Sequence, residues 1–103
     1  MLDERRKLDD ADPVDMALNA KILQAVGFLG SHPLAEQVFR VVTNQIGATG
    51  WQIARELQQP PKTVELTLSD LVKHEVVKAD GQGLNAYYIP SGQAYIVRER
   101  MAS

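Results

Sequence analysis

The sequence predicts a mainly α-helical domain that closes with a small antiparallel β-hairpin. Three observations carry that expectation. Apolar residues recur at spacings of three and four through residues 14–46, and again at Val64, Leu68 and Leu71. Prolines and hydroxyl or acidic residues stand where helices would begin, at Asp12-Pro13, Ser31-His32-Pro33 and Thr49. Near the end, the turn sequence Asp80-Gly81-Gln82-Gly83 separates two short apolar runs that read as paired strands.

A chain of 103 residues is the size of one domain. Area scaling gives a folded surface of roughly 5,800 Å² against about 16,500 Å² unfolded, enough burial for one core. The chain has no cysteine, which excludes disulfides, thiolate catalysis and cysteine metal sites. No apolar run approaches the roughly 20 residues of a membrane-spanning helix. The opening MLDERRKLDD has no apolar core of a secretory signal. A soluble, cytoplasmic protein without membrane contact is expected.

Residues 1–11 read as a flexible polar leader, and residues 12–100 as the single domain. Asp12 can cap a first helix, with Pro13 at its first position and Asp15 near the positive end of its dipole. Leu18, Ile22, Ala25 and Leu29 form one apolar stripe; Met16, Ala20 and Leu23 add a second. Gly27 and Gly30 loosen the end. Ser31-His32-Pro33 opens a second helix lined by Leu34, Val38, Val41, Val42 and Ile46, which Gly47 stops.

Thr49 and Gln52 have the spacing of a capping box. The short third helix they start turns Ile53, Ala54 and Leu57 inward, with Trp51 as a hydrophobic anchor. Pro60-Pro61 ends it. A fourth helix opens at Lys62 and runs to Lys73-His74, with Val64, Leu68 and Leu71 inward. Val76-Val77 and Ala86–Ile89 are the two strands. One of Tyr87 and Tyr88 should face the core and the other solvent, because side chains alternate along a strand. Residues 93–100 are a short helix or an extended tail.

Helix, helix, short helix, turn, helix and hairpin is the order of a winged helix-turn-helix. Three stretches resemble the winged-helix regulators of the ArsR and MarR types. Ser31-His32-Pro33-Leu34, with Val38-Phe39, is similar to the helix entry before their helix-turn-helix. Trp51–Leu57 resembles the first helix of the turn, and Val64–Val77 the recognition helix with its exit into the wing. Tyr88–Gly92 is similar to the end of the wing. The resemblance spans about residues 31–92 and implies DNA recognition. Departures are Ala35 where a base is common, Glu65 where a small hydroxyl residue is usual, and Glu75 where glycine is usual.

On that reading Lys62 and Thr63 sit at the recognition-helix start, where amides and dipole can meet a phosphate. Glu65, Thr67 and Ser69 face base edges. Gln52 and Arg55 touch the backbone, and Lys73 and Lys78 lie toward the exit and the wing. Charge argues for a weak electrostatic grip. Residues 13–103 hold eight acids and eight bases, and residues 50–82 hold five acids and four bases. The alternative is a protein-interaction adaptor that uses Glu65, Leu66 and Asp70.

Two apolar stripes on the first helix exceed what one small core needs. A homodimer through Met16, Leu18, Ile22, Leu23 and Val26, assisted by residues 93–100, is therefore expected. His32 reads as a helix-start residue and His74 as a helix-end residue. Two histidines 42 positions apart, without cysteine, do not make a metal site. No nucleophile elbow, phosphate loop or positioned acid pair occurs, so neither an enzyme nor a cofactor is expected.

Overall fold

The computed structural model of the chain describes residues 13–102, with side chains from Ala17 onward. Five α-helices and a three-stranded antiparallel sheet follow in order. They are α1 (Pro13–Ser31), α2 (Pro33–Gln45), β1 (Ala48–Thr49), α3 (Gly50–Leu57), α4 (Pro61–Lys73), β2 (Val77–Asp80), β3 (Tyr87–Pro90) and α5 (Ala94–Ala102). A single 3₁₀ turn, Gly83–Asn85, joins β2 to β3. The expected Asp12 cap and the leader fall outside the described residues.

The hairpin is one strand larger than the sequence indicated. The sheet order is β1-β3-β2, with Ala48 opposite Tyr88 and Thr49 opposite Tyr87. Two residues between a helix end and a capping box carry no periodicity, so β1 has no signature of its own. In the other ladder Ala79 faces Tyr88 and Val77 faces Pro90. Ser91 donates to the Val76 carbonyl at 3.1 Å. This makes residues 76 and 91 a hydrogen-bonded pair, so 77 and 90 are not one. Pro90 is tolerated because the ladder asks no N–H of it there.

The tyrosine alternation is as expected: Tyr88 is buried and Tyr87 exposed. The Tyr87 ring lies over Gly47, where a Cβ would come within 2.7 Å of it. Residues 93–100, left open between helix and tail, lie almost wholly in α5.

The core draws on every helix. Val38, Phe39 and Val42 of α2, Ile53 of α3, and Val64, Leu68 and Leu71 of α4 are fully buried. Ile22, Ala25 and Leu29 of α1 join them, as do Ala94 and Val97 of α5. Three of the four residues of the first stripe of α1, Ile22, Ala25 and Leu29, are thus spent on this chain's own core. Ile22, expected at a dimer interface, is buried in its own core, and Val26 packs half-buried against that core. The side chain of Met16 is outside the described residues. Leu18 and Leu23 remain exposed.

Three helices end in the same way. Ile46, Gln58 and Glu75 have φ of 55°, 55° and 62°. After α4, Glu75 N–H reaches the Val72 carbonyl and Val76 N–H the Leu71 carbonyl. After α3, Gln58 and Gln59 repeat the pattern on Arg55 and Ala54. These are Schellman closures with a side chain where glycine is usual, each costing roughly 1 kcal/mol in backbone strain. Ile46, expected on the apolar stripe of α2, is consequently turned out to solvent.

Glu75 has compensating partners. Its carboxylate pairs with Lys21 of α1 at 3.1 Å, and its carbonyl accepts from Ser91 Oγ at 2.6 Å. Beside it, the His74 ring stacks on Phe28, centroids 4.4 Å apart. Phe28 also meets His32, whose Nδ1 lies 2.9 Å from the Phe28 carbonyl.

Gly27 and Gly30 do not loosen α1, which runs through Ser31. A Cβ at Gly27 would have nothing within 4 Å. Gly27→Ala is therefore expected to stabilise the protein by about 0.5–1 kcal/mol, the mid-helix cost of glycine. Thermal or urea unfolding would show it as a raised midpoint, and a lowered midpoint would refute an open site at Gly27.

Candidate nucleic-acid interface

The capping box at Thr49 is formed. Gln52 N–H donates to Thr49 Oγ1 at 3.1 Å, and Thr49 N–H to Gln52 Oε1 at 2.8 Å. Gln52 is thus occupied in starting α3. The link from α3 to α4 is short, residues 58–60, because left-handed Gln58 reverses the chain and Pro60-Pro61 restarts it as a helix. Pro61, not Lys62, is the first residue of α4.

α4 is held along one stripe only. Val64, Leu68 and Leu71 have no exposed surface. Lys62, Thr63, Leu66, Asp70 and Lys73 are exposed. Leu66 is 58% exposed, which removes it from the core. Lys62 is at the helix start, with its ammonium 3.6 Å from Glu65. Thr67 is half-buried and its hydroxyl donates to the Thr63 carbonyl at 2.9 Å, so that donor is already used.

Glu65 and Ser69 do not share the outer stripe. They turn toward the hairpin and line a cleft of about 260 Å³ with Val72, Ala79, Gly83 and Tyr88. Val72 and Ala79 also line a larger neighbouring cleft, about 620 Å³, that extends to Glu75, Ser91 and Gln93. The predicted site residues therefore divide. Lys62, Thr63 and Lys73 share the open face of α4, and Arg55 is exposed in the last turn of α3. Glu65 and Ser69 face the hairpin, while Lys78 is on exposed β2. Among the described residues Arg55, Lys73 and Lys78 have no ion-pair partner.

The hairpin is tied to α3 by contacts that the sequence reading missed. Trp51, expected to anchor α3 in the core, is 48% exposed. Its indole N–H donates to Asn85 Oδ1 at 2.9 Å. Gly50 allows the Leu84 backbone to approach, since a Cβ there would sit 2.9 Å from Leu84 Cα. The adjacent Gly50-Trp51 was the available signal: a residue with no side chain beside one with a large, polar-tipped one.

Tyr88 closes the hairpin turn, its hydroxyl donating to the Gly83 carbonyl at 2.8 Å. Burial raises its pKa above the ordinary 10.0, and the Glu65 carboxylate adds to the shift.

Among the described residues no three His, Asp or Glu side chains converge to hold a metal ion, and no helix is long and apolar enough to cross a membrane. No protein-family model matches the chain, and no curated protein matches it.

Tyr88→Phe removes one hydrogen bond and should cost about 0.5–1.5 kcal/mol at neutral pH. The folded state holds the Tyr88 proton more tightly than the unfolded chain does. Its contribution is therefore complete below pH 10.0 and is lost as pH rises through the folded pKa. Urea midpoints from pH 8 to 11 should fall more steeply for wild type than for Tyr88→Phe. Parallel slopes would refute the assignment.

Proposed function

We propose that the chain is a winged helix-turn-helix protein that binds double-stranded DNA as a homodimer, with α4 as the recognition helix and β2–β3 as the wing. The one-sided packing of α4 carries this reading. A helix fixed by Val64, Leu68 and Leu71, with Lys62, Thr63, Leu66 and Lys73 open to solvent, can enter a major groove without unfolding anything. The short link from α3 keeps Arg55 close enough to serve as a phosphate contact.

The dimer reading is supported by α1 and α5, which pack together and leave Leu23 at 54% and Tyr95 at 48% exposure, with Leu18 and Ile96 also exposed. A two-fold axis would let these side chains cover one another, and a dimer that reads successive half-sites needs its two recognition helices about 34 Å apart.

Exposed Leu66 between Glu65 and Asp70 favours a second reading, a protein-binding adaptor, since a groove-facing position is more usually polar.

Duplex titration across salt concentration separates the two. Lys62→Ala or Arg55→Ala should weaken binding to every sequence and shallow the log–log salt slope by about 0.9 each. Leu66→Arg, at an exposed position, should leave stability within about 0.5 kcal/mol and steepen that slope. No complex at 50 mM salt, for wild type or Leu66→Arg, would refute DNA binding and leave the adaptor.

Sedimentation tests the dimer. Wild type at micromolar concentration should run near twice 11.4 kDa, and Leu23→Glu near 11.4 kDa with unchanged helicity. A wild-type mass of 11.4 kDa would overturn it.

A further inference from the structure

The three-stranded sheet is unfinished on one side. β2 is the longer of its two outer strands, bonded among the described residues to β3 alone. The pair formed by residues 76 and 91 sets the parity of the ladder. Residues 78 and 80 turn their peptide groups toward β3, so Val77 and Ala79 turn theirs away from it. Among the described residues no hydrogen bond reaches the N–H or carbonyl of Ala79. Ala79 is exposed at the point where the two clefts beside α4 meet, with Val72 across from it. An exposed strand edge of this kind is a template for another strand.

We propose that the β2 edge pairs with the β2 edge of a second copy of this chain, antiparallel and centred on Ala79. Charge selects this occupant and this register. Outward-facing residues must lie opposite one another, so a two-fold axis within the strand passes through position 77, 78, 79 or 80; an axis at 77 sets buried Val77 against its own copy and leaves Asp80 with no strand residue opposite. An axis at 78 sets Lys78 against its own copy, and an axis at 80 does the same for Asp80. Like charges directly opposite are destabilising. An axis at 79 sets Lys78 against Asp80 of the other copy, twice, in non-hydrogen-bonded pairs where side chains are closest. The two Ala79 residues then exchange both backbone hydrogen bonds on the axis. Lys78 and Asp80 have no ion-pair partner within the described residues, so both are available. The product is a continuous sheet of six strands that brings Val72 of both copies beside the seam.

The contact is separate from the one proposed for α1 and α5, and its test is run in Leu23→Glu protein so that α1 cannot contribute. The chain has no cysteine, so Ala79→Cys introduces a single one. The paired Cα atoms would be about 5.5 Å apart, within disulfide reach. Mild oxidation should cross-link Ala79→Cys about tenfold or more faster than Leu66→Cys, a control that is also at an exposed position, because pairing raises the effective concentration. Adding Lys78→Asp should reduce the rate to that of the control, because the substituted carboxylate then lies against Asp80 of the other copy. Adding Asp80→Lys as well should restore it, since opposite charges then face one another again. Cross-linking of Ala79→Cys no faster than Leu66→Cys, or failure of the double charge swap to restore it, would overturn the proposal.

Discussion

The end of α4, the start of β2, the junction of β3 with α5, and α1 all meet at the left-handed turn of Glu75, and their mutual placement follows from it. The Schellman closure ends α4 and sends the chain into β2, with Val76 N–H on the Leu71 carbonyl. Ser91 binds the Glu75 carbonyl through its hydroxyl and the Val76 carbonyl through its amide, which fixes where β3 gives way to α5. The Glu75 carboxylate pairs with Lys21 on α1. A glycine would meet the backbone requirement with less strain but would lose the link to α1. Both groups of that ion pair are about half-exposed, so its contribution is modest, and the backbone bonds carry more of the organisation. One turn thereby sets the direction of α4, the register of the hairpin and the seat of α1.

This geometry separates support from display. The inward faces of α2, α3 and α4 are apolar and closed. Among the groups left outward are the open stripe of α4, Leu18 and Leu23 on α1, Tyr95 and Ile96 on α5, and the bare edge of β2. The open stripe of α4, the α1–α5 patch and the edge of β2 lie on different elements, and Lys78, toward the wing and on the β2 edge, is the one side chain named for two of them. The near balance of acids and bases also makes charge placement matter more than total charge. Lys62 is partly offset by Glu65, whereas Arg55 and Lys73 have no such neighbour in an ion pair among the described residues.

Much of the fold was legible where one local rule acted alone. The stripe of Val64, Leu68 and Leu71 was readable because every member faces one core. The Thr49–Gln52 capping box was readable because it lies within four residues. The tyrosine pair was readable because strand alternation has a period of two. Readings failed where a residue's fate depended on distant chain. Trp51 looked like an anchor, but Asn85, 34 positions away, supplies a polar partner at the surface. Ile22 looked available for an interface, but α5 and the α2–α4 core close over it.

Helix ends show the same division. Apolar spacing and capping chemistry act over one or two turns. They were enough to establish that α2, α3 and α4 exist, which faces they bury and roughly where each stops. They did not reveal that Ile46, Gln58 and Glu75 adopt left-handed backbone, because L side chains disfavour that conformation and no local preference asks for it. Packing imposed it. The strain of about 1 kcal/mol at each site is offset by closing hydrogen bonds and by burial of the apolar face of the preceding helix, and both exist only once the helices are packed. The same holds for β1, for the split of the α4 residues between outer face and cleft, and for the free edge of β2. Each is set by which elements become neighbours, a property that no short window of sequence contains.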